Sequence, residues 1–104
     1  MKEITPESLK NILDTQAVTL LDVREAHERE QANIRGIHIP VSQVIHRINE
    51  IPKHEEVVVY CRSGARSASV IQALTSMHGY QNLTNLKGGL LAYAKTVDSS
   101  LEVA

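Results

Sequence analysis

Cys61 is the only cysteine in the chain. It stands where an apolar run, Val57 to Tyr60, meets a loop of two arginines and three small residues, Arg62-Ser63-Gly64-Ala65-Arg66. A thiol does nucleophilic work as thiolate, and a free cysteine with a pKa of about 8.5 is mostly protonated at neutral pH unless positive potential lowers that value. The loop offers three sources of such potential. Arg62 and Arg66 are permanent cations, and the helix expected after the loop points its N-terminus back at the thiol. Ser63, Gly64 and Ala65 are small enough to turn successive backbone N–H groups inward as an anion nest. A lone cysteine is more often a small buried hydrophobe, but a thiol serving only as packing has no use for these neighbours.

Other groups are weaker candidates. Asp22 and Arg24 close an apolar run and read as a pair that holds a loop, rather than as an acid or an anion site. The five histidines are scattered, none at a spacing that ties it to Cys61, and without a second thiol a closed zinc site lacks its parts. No metal or cofactor is expected. Gly88-Gly89 looks like part of a phosphate loop, yet no Gly-Lys-Ser/Thr follows it, so close backbone packing or a helix start is the expected role.

These residues must be positioned by a small domain. At 104 residues the chain can bury one core but not two, and with three tyrosines and neither Phe nor Trp that core must be aliphatic. Thr5-Pro6 is a cap and first residue for a helix carrying Leu9, Ile12 and Leu13 on one face. Ala17 to Val23 reads as a buried strand, Ala26 to Asn33 as a short exposed helix, and Ile37 to Ile39 as a small strand closed by Pro40. Ser42 caps a predicted helix with Val44, Ile45 and Ile48, stopped by Pro52. Glu55 to Tyr60 is the clearest strand. A helix from about Ser67 then carries Val70, Ile71, Leu74 and Met77 on one face and ends at Gly79. Leu83 to Leu86 reads as one more strand, and two glycines open the last helix, leaving residues 97–104 as a loose tail of a single domain. Strands alternating with helices imply an α/β fold, a mainly parallel sheet with helices on both faces, whose chemistry gathers outside the carboxyl ends of the strands. Cys61 lies at such an end.

A net charge of −1 provides no basic field for a polyanion, so nucleic acid is not an expected partner. The opening Met1 to Leu13 mixes charges and a proline, with no continuous apolar stretch, so a soluble, cytoplasmic protein is expected, with no membrane association.

Four segments in order, Leu20 to Glu25 (LLDVRE), Ile34 to Pro40 (IRGIHIP), Val57 to Ser67 (VVVYCRSGARS) and Gly79 to Tyr93 (GYQNLTNLKGGLLAY), resemble the rhodanese-like sulfurtransferases. The likeness is greatest to the small single-domain members, which include thiosulfate sulfurtransferases. It implies that Cys61 carries a persulfide between donor and acceptor while Arg62, Ser63, Gly64, Ala65 and Arg66 cradle the substrate. The implied partners are a small anionic donor such as thiosulfate and an acceptor, cyanide or a thiol, including that of a small protein. The chain departs from the family at Ala32-Asn33, where Gly-His is usual, in a Gly36–Pro40 link that looks one residue shorter, and at Tyr93, where Trp is common.

Three functions compete: sulfur transfer, a cysteine phosphatase or arsenate reductase, and a non-enzymatic interaction module of the same fold. A phosphate-sized cradle has, by the same resemblance, five residues between Cys and Arg, whereas Cys61 and Arg66 enclose four. The loop also lacks an acid to protonate a leaving group; sulfite departs as a stable anion and needs none, but a phosphate ester does. Both features favour sulfur, and an intact loop argues against a purely binding role.

Overall fold

The computed structural model describes residues 1–103. In chain order the elements are β1 (Glu3–Ile4), α1 (Pro6–Thr15), β2 (Thr19–Asp22), α2 (Ala26–Gln31), β3 (Ile37–His38), β4 (Val57–Tyr60), α3 (Ala65–His78), β5 (Leu83–Leu86) and α4 (Gly89–Thr96). The five strands form one sheet in the order β1-β5-β4-β2-β3, with every pair parallel. This is the α/β arrangement expected from the alternation of elements.

β4 lies at the centre because all four of its residues can be buried: three valines and a tyrosine suit a pleated surface covered on both sides. Alternation sends Val57 and Val59 to one face, where Leu21, Val70, Ile71, Leu74 and Tyr80 join them. Val58 and Tyr60 go to the other, with Leu9, Leu20, Leu86, Leu90 and Tyr93. Thus α3 covers one face while α1 and α4 cover the opposite one. Each fully buried aliphatic side chain contributes about 1.5–3 kcal/mol, so the aliphatic core suffices without large aromatic residues. The Thr5 hydroxyl accepts from the Ser8 amide at 3.2 Å, and Pro6 occupies the first turn of α1, as anticipated.

Several expectations need correction. The helix predicted from Ser42 is instead two single 3₁₀ turns, Val41–Gln43 and Ile48–Glu50. Tertiary bonds compete with it: the Val41 amide donates to Val23, and the Tyr80 hydroxyl bonds to the carbonyls of Ile48 and Ile51 at 3.2 and 3.0 Å. β-Branched Val44, Ile45 and Ile48 add little helix propensity against this pull. The helix after the cysteine loop starts at Ala65, not near Ser67, because Gly64 makes the turn with φ of 99° and its carbonyl takes the Ala68 amide. Its buried stripe ends at Leu74, with Met77 exposed; the left-handed turn at Gly79 brings Tyr80 into the core there instead. The two-residue β1 is too short to leave a period in the sequence. The tail makes contacts: Val97, Leu101 and Val103 lie against the α1–α4 cluster, and Gln31 donates to the Glu102 carbonyl at 3.0 Å. Ala104, the end of that predicted tail, lies outside the described residues.

Candidate active site

The chain leaves β4 at Cys61 and turns at once into α3. The turn wraps the backbone around the sulfur. Sγ accepts from the Gly64 amide at 3.1 Å and from the Ser67 amide at 3.4 Å, and the Ser67 hydroxyl lies 3.4 Å away. Burial opposes ionisation of this thiol, but the Ser67 hydroxyl and the amides of Ser67, Gly64 and Ser63 outweigh it and hold Cys61 below its ordinary value. The sulfur therefore sits where the nest and helix N-terminus were expected to place negative charge, with Ala65 as the first helical residue. Cys61 is fully buried, whereas Arg62 and Ser63 form an exposed lip.

Two supports hold the loop in place. From below, the Leu90 and Leu91 amides donate to the carbonyls of Cys61 and Arg62 at 2.8 and 3.0 Å. Such an approach requires Gly89: a Cβ there would stand 2.4 Å from the Arg62 carbonyl oxygen, and its φ is +67°. The double glycine thus serves close packing and a helix start. From the side, Arg66 makes two bonds to Glu28, at 2.7 and 2.8 Å. That pairing holds the Glu28 carboxyl down at about 2, against the cost of its partial burial.

Glu28 is presented by α2, which has no buried residue of its own. Its anchor is the buried Arg24. This guanidinium pairs with Asp22 through two bonds of 2.9 Å, donates to the Glu28 and Ala32 carbonyls, and lies over the Tyr60 ring. A buried charge is tolerated only when its donors are used in this way. Asp22 and Arg24 are structural, in line with the sequence, and their work is to dock α2 beside the loop. His38 points to the Arg24 carbonyl, at 2.6 Å.

Cys61, Arg62, Ser63, Gly64, Ala65 and Arg66 form one continuous turn, with the Arg66 guanidinium directed at Glu28. Three neighbours were not singled out from sequence: Ser67, Asn85 and Glu28. Ser67 was within reach, since a hydroxyl on the first turn of a helix that caps a thiol falls near the sulfur. Asn85 comes from β5, beside β4, and Glu28 from a polar helix; only the fold brings them in.

The parallel α/β sheet thus delivers one thiol into a ring of backbone amides at the start of a helix. Residues 5–96 match the rhodanese-like domain family, and the chain belongs to that family. It is 40% identical over 97 residues, covering 91% of this chain and 90% of the relative, to a protein named sulfurtransferase from Allochromatium vinosum. Among solved structures, a rhodanese-like domain protein from Staphylococcus aureus superposes with a TM-score of 0.83 at 30% identity, covering 100% of this chain and 99% of that one. An NAD-dependent persulfide reductase from A. fulgidus matches with a TM-score of 0.71 and 31% identity over 89% of this chain but 16% of its own. No helix among the described residues is long and apolar enough to cross a membrane.

Proposed function

We propose that the protein transfers a sulfane sulfur through a persulfide on Cys61. The Cys61 thiolate attacks the outer sulfur of a donor such as thiosulfate, forming an S–S bond while the donor's S–S bond breaks and its electron pair leaves on sulfite. No proton moves in this step. An acceptor nucleophile, cyanide or a thiolate that includes one on a small protein, then attacks the outer sulfur and returns the Cys61 thiolate. Single-electron or metal chemistry is not called on.

The observation that carries this reading is the ring of amides around Sγ in a loop with four residues between Cys61 and Arg66. A ring already filled by one sulfur suits a second sulfur better than a tetrahedral phosphate. Because Cys61 is fully buried, donor contact requires the lip of Arg62 and Ser63, or the cysteine side chain, to move. Arg62 then attracts the anionic donor, Ser63, Gly64 and Ala65 line the cradle, and Arg66 adds positive field while bracing the loop. A reduced free thiol suits a cytoplasmic setting. Intact mass after incubation with thiosulfate tests the proposal: a gain of one sulfur atom that cyanide removes is expected, and an unchanged mass with efficient hydrolysis of an aryl phosphate would overturn it.

A further inference from the structure

Ser67 and Asn85 form a buried polar pair beside the thiol, at 0% and 3% exposure. The Asn85 amide nitrogen donates to the Gly64 carbonyl at 3.1 Å, and this decides which end of the amide meets Ser67. Reversing the amide would set its oxygen against that carbonyl. The Asn85 oxygen therefore faces the Ser67 hydroxyl, 2.6 Å away, and an amide oxygen can only accept. A hydroxyl has one proton. The Gly64 carbonyl is a second acceptor within its reach, at 3.2 Å, but the bond to Asn85 is much the shorter; committed there, the proton leaves a lone pair of Ser67 toward Cys61 Sγ at 3.4 Å. A lone pair accepts from S–H and repels S⁻, so the hydroxyl's support for the thiolate requires the proton to turn away from Asn85.

We propose that Asn85 and Ser67 are positioning residues that direct one hydroxyl proton according to the charge on Cys61 Sγ. While Sγ is a thiol, Asn85 holds the proton. When the thiol loses its own proton to solvent, the Ser67 hydroxyl rotates and donates to S⁻, and Asn85 gives up that bond. In the persulfide the charge lies on the outer sulfur and Sγ is neutral, so the proton returns to Asn85. No covalent bond at Ser67 forms or breaks. This last step rests on the sulfur-transfer reading, whereas the first two concern only the ionisation of Cys61.

The surrounding charges do not supply this behaviour. On α3, Arg66 interacts electrostatically with Cys61 and is held by Glu28 of α2. The Asp22–Arg24 pair at the end of β2 is internally neutral, Arg29 of α2 leans on Asp22, and Arg62 and Lys87 are exposed on the loops after β4 and β5. All of these remain unchanged when Ser67 or Asn85 is replaced.

The test is the pH midpoint of thiolate absorbance in the ultraviolet, with the Cys61→Ser protein subtracted to remove tyrosine. Ser67→Ala loses the one hydroxyl that lies against Sγ among the described residues and should raise the midpoint by about one pH unit. Asn85→Leu leaves the hydroxyl a choice between sulfur and the Gly64 carbonyl; an anionic sulfur is the stronger acceptor, so the midpoint should fall, by about half a unit or more. With Ser67→Ala already present, Asn85→Leu should leave the midpoint where it is. Asn85→Val, which also cannot accept and suits a strand better, carries the same expectations if the leucine variant does not fold. A midpoint that rises or stays put on replacing Asn85 alone overturns the proposal, as does a fall that persists without Ser67. The titration contains no sulfur donor, so its failure and a failed persulfide assay are separate results.

Discussion

Arg66 meets Glu28 with both ends of its guanidinium, at 2.7 and 2.8 Å, and so ties the loop around the thiol to a helix 38 residues earlier in the chain. The Glu28 side chain is 13% exposed and that of Arg66 38%, so the pair is only partly screened by water. Its carboxyl titrates at about 2 in the folded protein, against an ordinary 4.5. A depressed carboxylate stabilises the fold above its unfolded pKa, and this contribution is lost as pH falls from about 4.5 through about 2. Glu28→Gln should therefore cost about 1–2 kcal/mol at neutral pH after allowance for screening, with the gap to the wild type closing in acid. Urea unfolding across this range measures it. A gap independent of pH would show that the pair contributes through packing alone.

Cys61→Ser should abolish thiocyanate formation from thiosulfate and cyanide while the protein stays folded. Serine keeps the shape of the site, and its hydroxyl can still accept from the Gly64 and Ser67 amides, but it is a far weaker nucleophile. Turnover at the wild-type level would remove Cys61 from the reaction.

The cradle's size is a separate question. One small residue inserted between Gly64 and Ala65 lengthens the turn just before α3, drawing the Gly64 and Ser67 amides away from a single sulfur. Sulfur transfer should fall by about tenfold or more, while hydrolysis of an aryl phosphate rises from a negligible level. Parallel assays on parent and insertion decide the matter, and efficient phosphate hydrolysis by the parent would count against sulfur.

The order of β2, β4, α3, β5 and α4 was legible because each has a period, a cap or a glycine stop within a short window. So was the thiol loop, where every member except the helix-borne Ser67 had a reason to be small or cationic. The segment Val41 to Ile51 was misread since its shape follows from distant partners, Val23 and Tyr80, that capture its backbone groups. Asn85 and Glu28 were invisible for the same reason. Asn85 reaches the thiol loop by strand pairing and Glu28 by the buried Arg24 that docks α2, and neither relation leaves a local pattern.

Gly89→Ala should be severely destabilising, more so than the same change at Gly79. At Gly89 the new methyl meets the Arg62 carbonyl at 2.4 Å with φ at +67°, whereas at Gly79 only the positive φ is unfavourable and the space is open. Losses of about 3 kcal/mol or more and about 1 kcal/mol are expected from the clash and the backbone strain respectively. Thermal unfolding of the two variants provides the comparison, and equal losses would mean that the loop moves aside without cost.

Arg62 and Arg66 should differ in how they fail. Arg62 lies on the exposed lip directly after the thiol, so any pull it exerts on an anionic donor passes through water, where salt screens it. Arg62→Ala should raise the KM for thiosulfate on the order of fivefold, with a smaller change in kcat, and the penalty should shrink as salt is added. Arg66 is fixed against Glu28, and its removal loosens the turn that aims the Gly64 and Ser67 amides at sulfur. Arg66→Ala should therefore lower kcat as well, by about tenfold, and high salt should restore little of it because alignment rather than distant charge has been lost. Steady-state kinetics at low and high ionic strength separate the two. An unchanged thiosulfate KM in Arg62→Ala would mean that this arginine does not attract the donor, and full recovery of Arg66→Ala in salt would reduce Arg66 from a brace to a charge.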